Sequence, residues 1–323
     1  MKQRLSGLIA ATFTPMGEDG SLNLGAVPSM VNHLRNQGIA GLYVVGSTGE
    51  GVSLSSEERR AVAETFVEAA DGRMPVVVQV GHNSLAEARQ LAAHAQQIGA
   101  TAISATPPSY FKPDSVETLA ACMAESAAGA PATPFYYYHV PHMTGVGLSM
   151  LDFLHVAAER MPTLAGIKYT ATTMQEMVAC IGAADGRFEI LHGVDEMLLA
   201  GLAMGAGGAV GSTYNYAAPI YRHMIQAFSR GDLDEARLWQ GRSCAMVRII
   251  LQYRALASQK ALMAMIGLDC GPTRLPVPYL TEQERVDLRD KLTAIGFFDW
   301  IAPATVSAAA KTCTMAIKGT RRA

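Results

Sequence analysis

Gly205-Ala-Gly-Gly-Ala-Val-Gly211-Ser-Thr-Tyr-Asn-Tyr216 carries three signals in a row: a glycine turn, a short apolar run and a polar cluster. The glycines precede the apolar run, so they read as a tight turn from a helix into a strand over 208–211. A dinucleotide-binding sheet needs the opposite order, with a GxGxxG turn after its first strand and a ribose-binding acid further on. No such turn follows the first candidate strand, 7–12. The polar cluster lies instead where a strand ends, as on the rim of a closed barrel.

The same unit repeats along the chain. Candidate strands are 7–12, 41–45, 76–80, 102–105, 135–139, 164–168, 188–191 and 208–211. Helical stretches alternate with them over 24–37, 56–70, 84–98, 115–128, 149–159, 173–184, 195–204 and 216–229. In 56–70, Ser56 offers a cap, Glu57 and Glu58 suit the positive end of the helix dipole, and Ala61, Val62, Phe66 and Ala69 recur at helical spacing. Eight strand–helix units make a doubly wound sheet or a closed barrel. Polar and glycine-rich clusters after many of the strands favour the barrel, so the expected fold is α/β, a (β/α)8 TIM barrel over 1–231. From 232 to 302 the pattern is helical, over 233–256, 258–266 and 282–295, with a Pro/Gly-rich connector at 271–278. This segment reads as a C-terminal appendage packed on the barrel, and 303–323 as a frayed tail.

Composition narrows the class. Half of the residues are apolar and 17% are charged, enough to bury a large core. Net charge is −2, with basic residues bunched only at the extreme C-terminus, so nucleic acid and anionic membrane surfaces are not expected partners. The five cysteines (122, 180, 244, 270, 313) are scattered without CxxC spacing, which points away from disulfides and zinc and towards a reducing cytoplasm. The apolar run after Lys2 and Arg4, from Leu8 to Ala11, is too short for a signal peptide, and no later stretch approaches a membrane span.

Chemistry gathers at four strand ends. Leu164-Ala-Gly-Ile167 is closed by Lys168 and followed by Tyr-Thr170. An ammonium buried without a partner is costly, so its pKa falls from ~10.4 towards neutrality and the free amine can attack a carbonyl to form a Schiff base. The competing reading is a strand-end lysine that snorkels to solvent. Gly46-Ser-Thr-Gly-Glu-Gly51 follows the second strand, and its amides with the hydroxyls of Ser47 and Thr48 suit a carboxylate; alone it is an ordinary glycine turn. In Phe135-Tyr-Tyr-Tyr-His139, alternation puts Tyr136 and Tyr138 on one face and Tyr137 on the other. Tyr138 suits proton transfer beside a carbonyl carbon, whereas His139 reads as a hydrogen-bonded structural histidine. Asp195 and Glu196, after the seventh strand, read first as helix caps; facing a cavity they would grip a polyhydroxylated ligand. His82, Lys112 and His142 fall on loops near the rim without an assignable role.

A GSTGEG loop, a YxxP-type fifth strand, a GIK sixth strand and a GSTYN eighth strand, in that order, resemble the N-acetylneuraminate lyase and dihydrodipicolinate synthase family over roughly 5–300. Among its subfamilies, FYYYHVPHMTGV, HGVDEMLL, MGAGGAVGSTYNY and GPTRLPV look most like the animal-type sialic acid lyases. The resemblance implies a class I aldolase acting on a small molecule, without metal or organic cofactor, and a homotetramer. It implies that Lys168 forms the Schiff base with a C2 ketone, that Tyr138 moves a proton, and that Ser47 and Thr48 bind the pyruvoyl carboxylate. Thr170, Gly193, Asp195, Glu196 and Ser212 match positions that contact a sugar's hydroxylated tail. Tyr110, in PPSYFKP, matches a tyrosine that assists the proton relay across a subunit contact, in a loop that varies within the family. The synthases carry an arginine shortly after the fifth strand for their second substrate's carboxylate; here Met143 stands there and cannot pair with one. Lysine biosynthesis is therefore disfavoured, and aldolases of 2-keto-3-deoxy sugar acids rank second. A non-catalytic barrel that senses a keto acid is the alternative outside enzymes.

Overall fold

The computed structural model describes residues 4–302; the expected tail, 303–323, and Cys313 lie outside them. Eight parallel strands form a closed barrel in sequence order: β1 (Gly7–Ala11), β2 (Gly41–Val44), β3 (Val76–Gln79), β4 (Ala102–Ala105), β5 (Phe135–His139), β6 (Leu164–Tyr169), β7 (Glu189–His192) and β8 (Gly208–Gly211). β8 closes on β1 with Leu8 opposite Ala209. The expected closed (β/α)8 barrel is thus the observed fold.

Every strand is covered on both sides, so the strands are nearly continuous apolar runs. Outward residues such as Leu42, Val78, Ile103, Tyr137 and Ile167 pack with Val62, Phe66, Leu91, Leu119 and Phe153 from the surrounding helices. Inward residues fill the lumen: Ile9, Ala11, Tyr43, Val77, Ala102, Tyr136, Tyr138, Leu191 and Val210. The alternation expected of Tyr136, Tyr137 and Tyr138 therefore holds, with only Tyr137 facing the helices.

Helix bounds follow local chemistry closely, with corrections. The cap of the helix Ser56–Ala70 is Ser55, not Ser56. Its hydroxyl accepts the Glu58 N–H, and the Glu58 carboxylate accepts the Ser55 N–H in return, a capping box that a serine one residue later cannot complete. Ser56 instead donates to Glu87 on the next helix at 2.6 Å. The Gly205 turn behaves as expected: Gly205 has φ +95°, and the amides of Gly205 and Ala206 bond back to Leu202 and Gly201.

After the helix Tyr214–Ser229, the helices Leu233–Ile250, Ala255–Met265, Glu282–Ala294 and Phe297–Ile301 form the C-terminal extension. The single helix expected over 233–256 is broken after Ile250, because Arg254 is drawn to the carbonyls of Pro278 and Tyr279 and to Glu284. The connector 271–278 is a strap rather than a spacer. Gly271 lies so close to Met16 that a Cβ would sit 1.9 Å from its carbonyl oxygen. Arg274 holds both carboxylate oxygens of Glu58, at 2.8 and 2.6 Å. Among the described residues, no helix is long and apolar enough to cross a membrane.

Candidate active site

Lys168 and Tyr138 stand side by side because they are register partners in the β5–β6 ladder, both pointing into the lumen. Lys168 is 4% exposed. Its Nζ lies 3.8 Å from the ring centre of Tyr138 and 4.0 Å from that of Tyr43, which meet edge to face. Burial among these rings pulls the lysine below its usual range, while the Tyr138 phenol and the Asp195 carboxylate oppose the shift. The snorkelling alternative is thereby excluded.

The Tyr138 hydroxyl reaches Ser47 Oγ at 3.4 Å, connecting β5 to the loop after β2. That loop is tightly wound. Val45 and Glu50 adopt left-handed conformations with φ of 51° and 55°, which are uncommon for side chains with a Cβ, least of all a branched one. A Cβ on Gly46 would strike the Tyr43 ring at 2.7 Å, and one on Gly51 would strike the Val45 carbonyl at 2.0 Å. Ser47 and Thr48 are half-buried on this loop.

Asp195 is buried, and its carboxylate does not cap the helical segment that it opens. It turns to Thr213 after β8, whose N–H and hydroxyl both donate to Oδ2, at 2.9 and 2.6 Å. Burial raises its pKa to about 6, against the lowering effect of the Thr213 bonds. Glu196 is half-buried, and its carbonyl accepts from Gln240 on the C-terminal extension. Thr170 packs against Gly193 so closely that a Cβ there would lie 2.1 Å from the Thr170 hydroxyl; this hydroxyl is buried and has no hydrogen-bond partner among the described residues. Ser212 is half-buried at the end of β8, its carbonyl held by the Asn215 side chain.

Two expectations are met differently. His139 faces outward between Tyr137 and Tyr169, and its Nδ1 has no hydrogen-bond partner among the described residues; burial lowers its pKa to about 4. It is structural as expected, but it serves as a neutral aromatic ring rather than a hydrogen-bonded one. Tyr110 is 79% exposed and packs edge-on with Phe111, so within one chain it does not join the buried group. Of the unassigned loop residues, His82 accepts the Ser84 N–H at 2.9 Å, and Lys112 lies against Gly145.

Sequence reasoning missed Tyr43, Thr213 and the pair Glu50–Lys260. Tyr43 had a signal, since alternation in 41–45 puts it on the inward face. Thr213 had only its place in the polar cluster after β8. Lys260 Nζ lies 2.7 Å from Glu50 Oε1 with both side chains essentially inaccessible, and nothing in a helical 258–266 pattern signals it.

A closed barrel whose interior holds a desolvated amine between two phenols, beneath a rim of hydroxyls and carboxylates, has the architecture of a (β/α)8 enzyme. A family model described as the dihydrodipicolinate synthetase family matches residues 4–295, and the chain belongs to that family. It is 38% identical over 304 residues to the N-acetylneuraminate lyase of Rattus norvegicus, covering 93% of this chain and 95% of that protein. Against the enzyme of the same name from Xenopus tropicalis it is 42% identical over 282 residues, 85% of this chain and 91% of that one. The solved Proteus mirabilis N-acetylneuraminate lyase superposes with a TM-score of 0.89 at 39% identity, over 91% of this chain and all of that chain. A dihydrodipicolinate synthase from Bacillus anthracis superposes at 0.84 with 27% identity, over 90% of this chain and 98% of that one.

Proposed function

We propose that this chain is a Schiff-base aldolase that cleaves N-acetylneuraminate to N-acetylmannosamine and pyruvate. The observation that carries the proposal is the Lys168 amine, buried between the Tyr43 and Tyr138 rings inside the barrel. Its neutral form adds to the C2 ketone of the open-chain sugar, and loss of water gives a protonated imine. The imine is an electron sink. When the C4 hydroxyl gives up its proton, the C3–C4 pair flows towards the imine, releasing the aldehyde of N-acetylmannosamine and an enamine. Tyr138, in contact with Ser47, relays the proton from O4 to C3. Water then hydrolyses the imine, freeing pyruvate and the amine.

In this proposal Ser47 and Thr48 hold the carboxylate of the pyruvoyl end. Thr170, Gly193, Asp195, Glu196 and Ser212 line the way for the hydroxylated tail; the unpartnered Thr170 hydroxyl supports this role. Met143, 63% exposed where the synthases hold an arginine, supports a sugar over a second substrate bound by its carboxylate. A pyruvate-release assay with N-acetylneuraminate and 2-keto-3-deoxygluconate tests the substrate. Faster release from N-acetylneuraminate is expected, and preference for the other would leave the second-ranked aldolase reading standing.

Asp195→Ala is expected to lower kcat/KM for N-acetylneuraminate by about 10- to 100-fold, the worth of one or two hydrogen bonds to a charged group. Borohydride trapping of pyruvate on Lys168 would change far less. Equal loss in both measurements would make Asp195 a support of the barrel instead.

We further propose that the barrel over 1–231 and the appendage over 232–302 form the functional unit, that the unit assembles as a homotetramer, and that it works in the cytoplasm. The exposed pair Tyr110 and Phe111 supports a subunit contact through which Tyr110 joins the proton relay of a neighbouring site. Light scattering that returned the mass of a single chain would oppose this assembly. Four cysteines that stay apart as free thiols suit a reducing compartment.

A further inference from the structure

Four buried side chains, Asp195 and three behind it, form a line. Asp195 Oδ2 accepts from Thr213 Oγ1 at 2.6 Å, Thr213 Oγ1 meets the Tyr221 hydroxyl at 2.7 Å, and Tyr221 meets Ser243 Oγ at 2.8 Å. Thr213 precedes the helix Tyr214–Ser229, Tyr221 lies within it, and Ser243 comes from the helix Leu233–Ile250 of the C-terminal extension. Each hydroxyl owns one proton, which fixes the direction of the line. A carboxylate only accepts, so Thr213 gives it its proton. Tyr221 must then donate to Thr213, and Ser243 to Tyr221. Hydrogen bonds arranged head to tail polarise one another, most strongly where water is excluded.

We infer that Ser243, Tyr221 and Thr213 form a one-way hydroxyl relay that fixes Asp195 as an acceptor for the substrate, making Tyr221 and Ser243 positioning residues of a site that neither lines. The inference rests on the proposal that Asp195 grips the sugar tail. The Thr213 N–H and O–H both use Oδ2, and among the described residues no hydrogen bond engages Oδ1. Protonating Asp195, even on Oδ1, would turn Oδ2 from a carboxylate oxygen into a weaker neutral acceptor for both bonds, so the relay favours the ionised form. Burial and the Asp195 charge also push the Tyr221 phenol well above its ordinary range, so it keeps the proton it donates. The other groups facing Asp195 are Lys168 from β6, its neighbour Glu196, and Tyr214 and Tyr216 from the helix that carries Tyr221. Of these, Lys168 favours the carboxylate and Glu196 opposes it. The relay therefore couples the C-terminal extension first to the part of the site that reads the substrate, and through the Asp195 charge more weakly to Lys168.

The test is titration of the Asp195 carboxyl, followed by infrared spectroscopy on protein carrying 13C-labelled aspartate, together with the pH profile of kcat/KM for N-acetylneuraminate. The Thr213 bonds lower the pKa of Asp195, so weakening the relay raises it and moves the acid limb to higher pH. Thr213→Val is expected to move the limb up by about one pH unit, the scale of one hydrogen bond to a charge. Tyr221→Phe, which keeps the ring packed against Tyr214, and Ser243→Ala are expected to move it by about half as much. In all three, kcat/KM recovers at alkaline pH, which a loss of packing would not reproduce. Wild-type titration of Asp195 in both Tyr221→Phe and Ser243→Ala would overturn the relay. Because the infrared titration needs no substrate, a wild-type enzyme that fails to cleave N-acetylneuraminate would sink the proposed function and leave the relay's own result readable.

Discussion

Lys168→Ala is expected to lose at least about a thousandfold in turnover while keeping the barrel folded, because no other group can supply the covalent electron sink. The size follows from chemistry: without an imine at C2, the electron pair released by C3–C4 cleavage has nowhere to go. Folding is expected to survive because the lysine is a burden on it. Its amine is buried against aromatic rings, with burial the largest influence on its pKa. Lys168→Met, which fills the same space without a charge, is expected to match or exceed wild-type stability. The pH dependence carries the same sign. A lysine whose folded pKa is depressed lets the unfolded chain bind the extra proton, so the cost of burying it falls as pH rises towards its ordinary value of 10.5. The stability gap between wild type and Lys168→Met should therefore narrow at alkaline pH. Wild-type turnover in either variant would refute the Schiff base at this residue.

Lys260→Ala is the second large effect, and it is one of stability. Lys260 donates to the Pro272 carbonyl and pairs with Glu50, whose other oxygen accepts the Arg274 N–H, all at 2.7 to 2.8 Å. This buried cluster joins the left-handed Glu50 of the loop after β2 to the C-terminal strap. Removing the lysine strands a buried carboxylate, which typically costs ~3–5 kcal/mol. Denaturant unfolding would measure that loss. Lys260→Met combined with Glu50→Gln, which removes both charges, should recover a good part of it. A single-variant cost below about 1 kcal/mol, as for an exposed pair, would contradict this picture.

The barrel was legible because its strands are short, apolar and evenly spaced, and the expected strand bounds fall within a residue of those observed. Lys168 and Tyr138 were legible for a related reason: a cation and a phenol ending apolar strands conflict with burial unless they have work to do. What stayed hidden depends on partners distant in sequence. The helix break after Ile250 has no glycine or proline to announce it; Arg254 reaching the connector and Glu284 makes it. The short helix Pro141–Thr144 read as loop because it is only four residues long and its proline comes two residues after a strand. The choice of Ser56 over Ser55 as cap was a one-residue ambiguity that only the reciprocal bond with Glu58 resolves. Asp195 gave its residue type but not its orientation, since Thr213 lies eighteen residues further on.

Borohydride reduction in the presence of pyruvate, followed by peptide mass mapping, tests the central claim most directly. The account predicts a single reduced pyruvyl adduct on the peptide containing Lys168, absent when either reagent is omitted and absent in Lys168→Met. Unmodified protein, or an adduct carried by a different lysine, would contradict it.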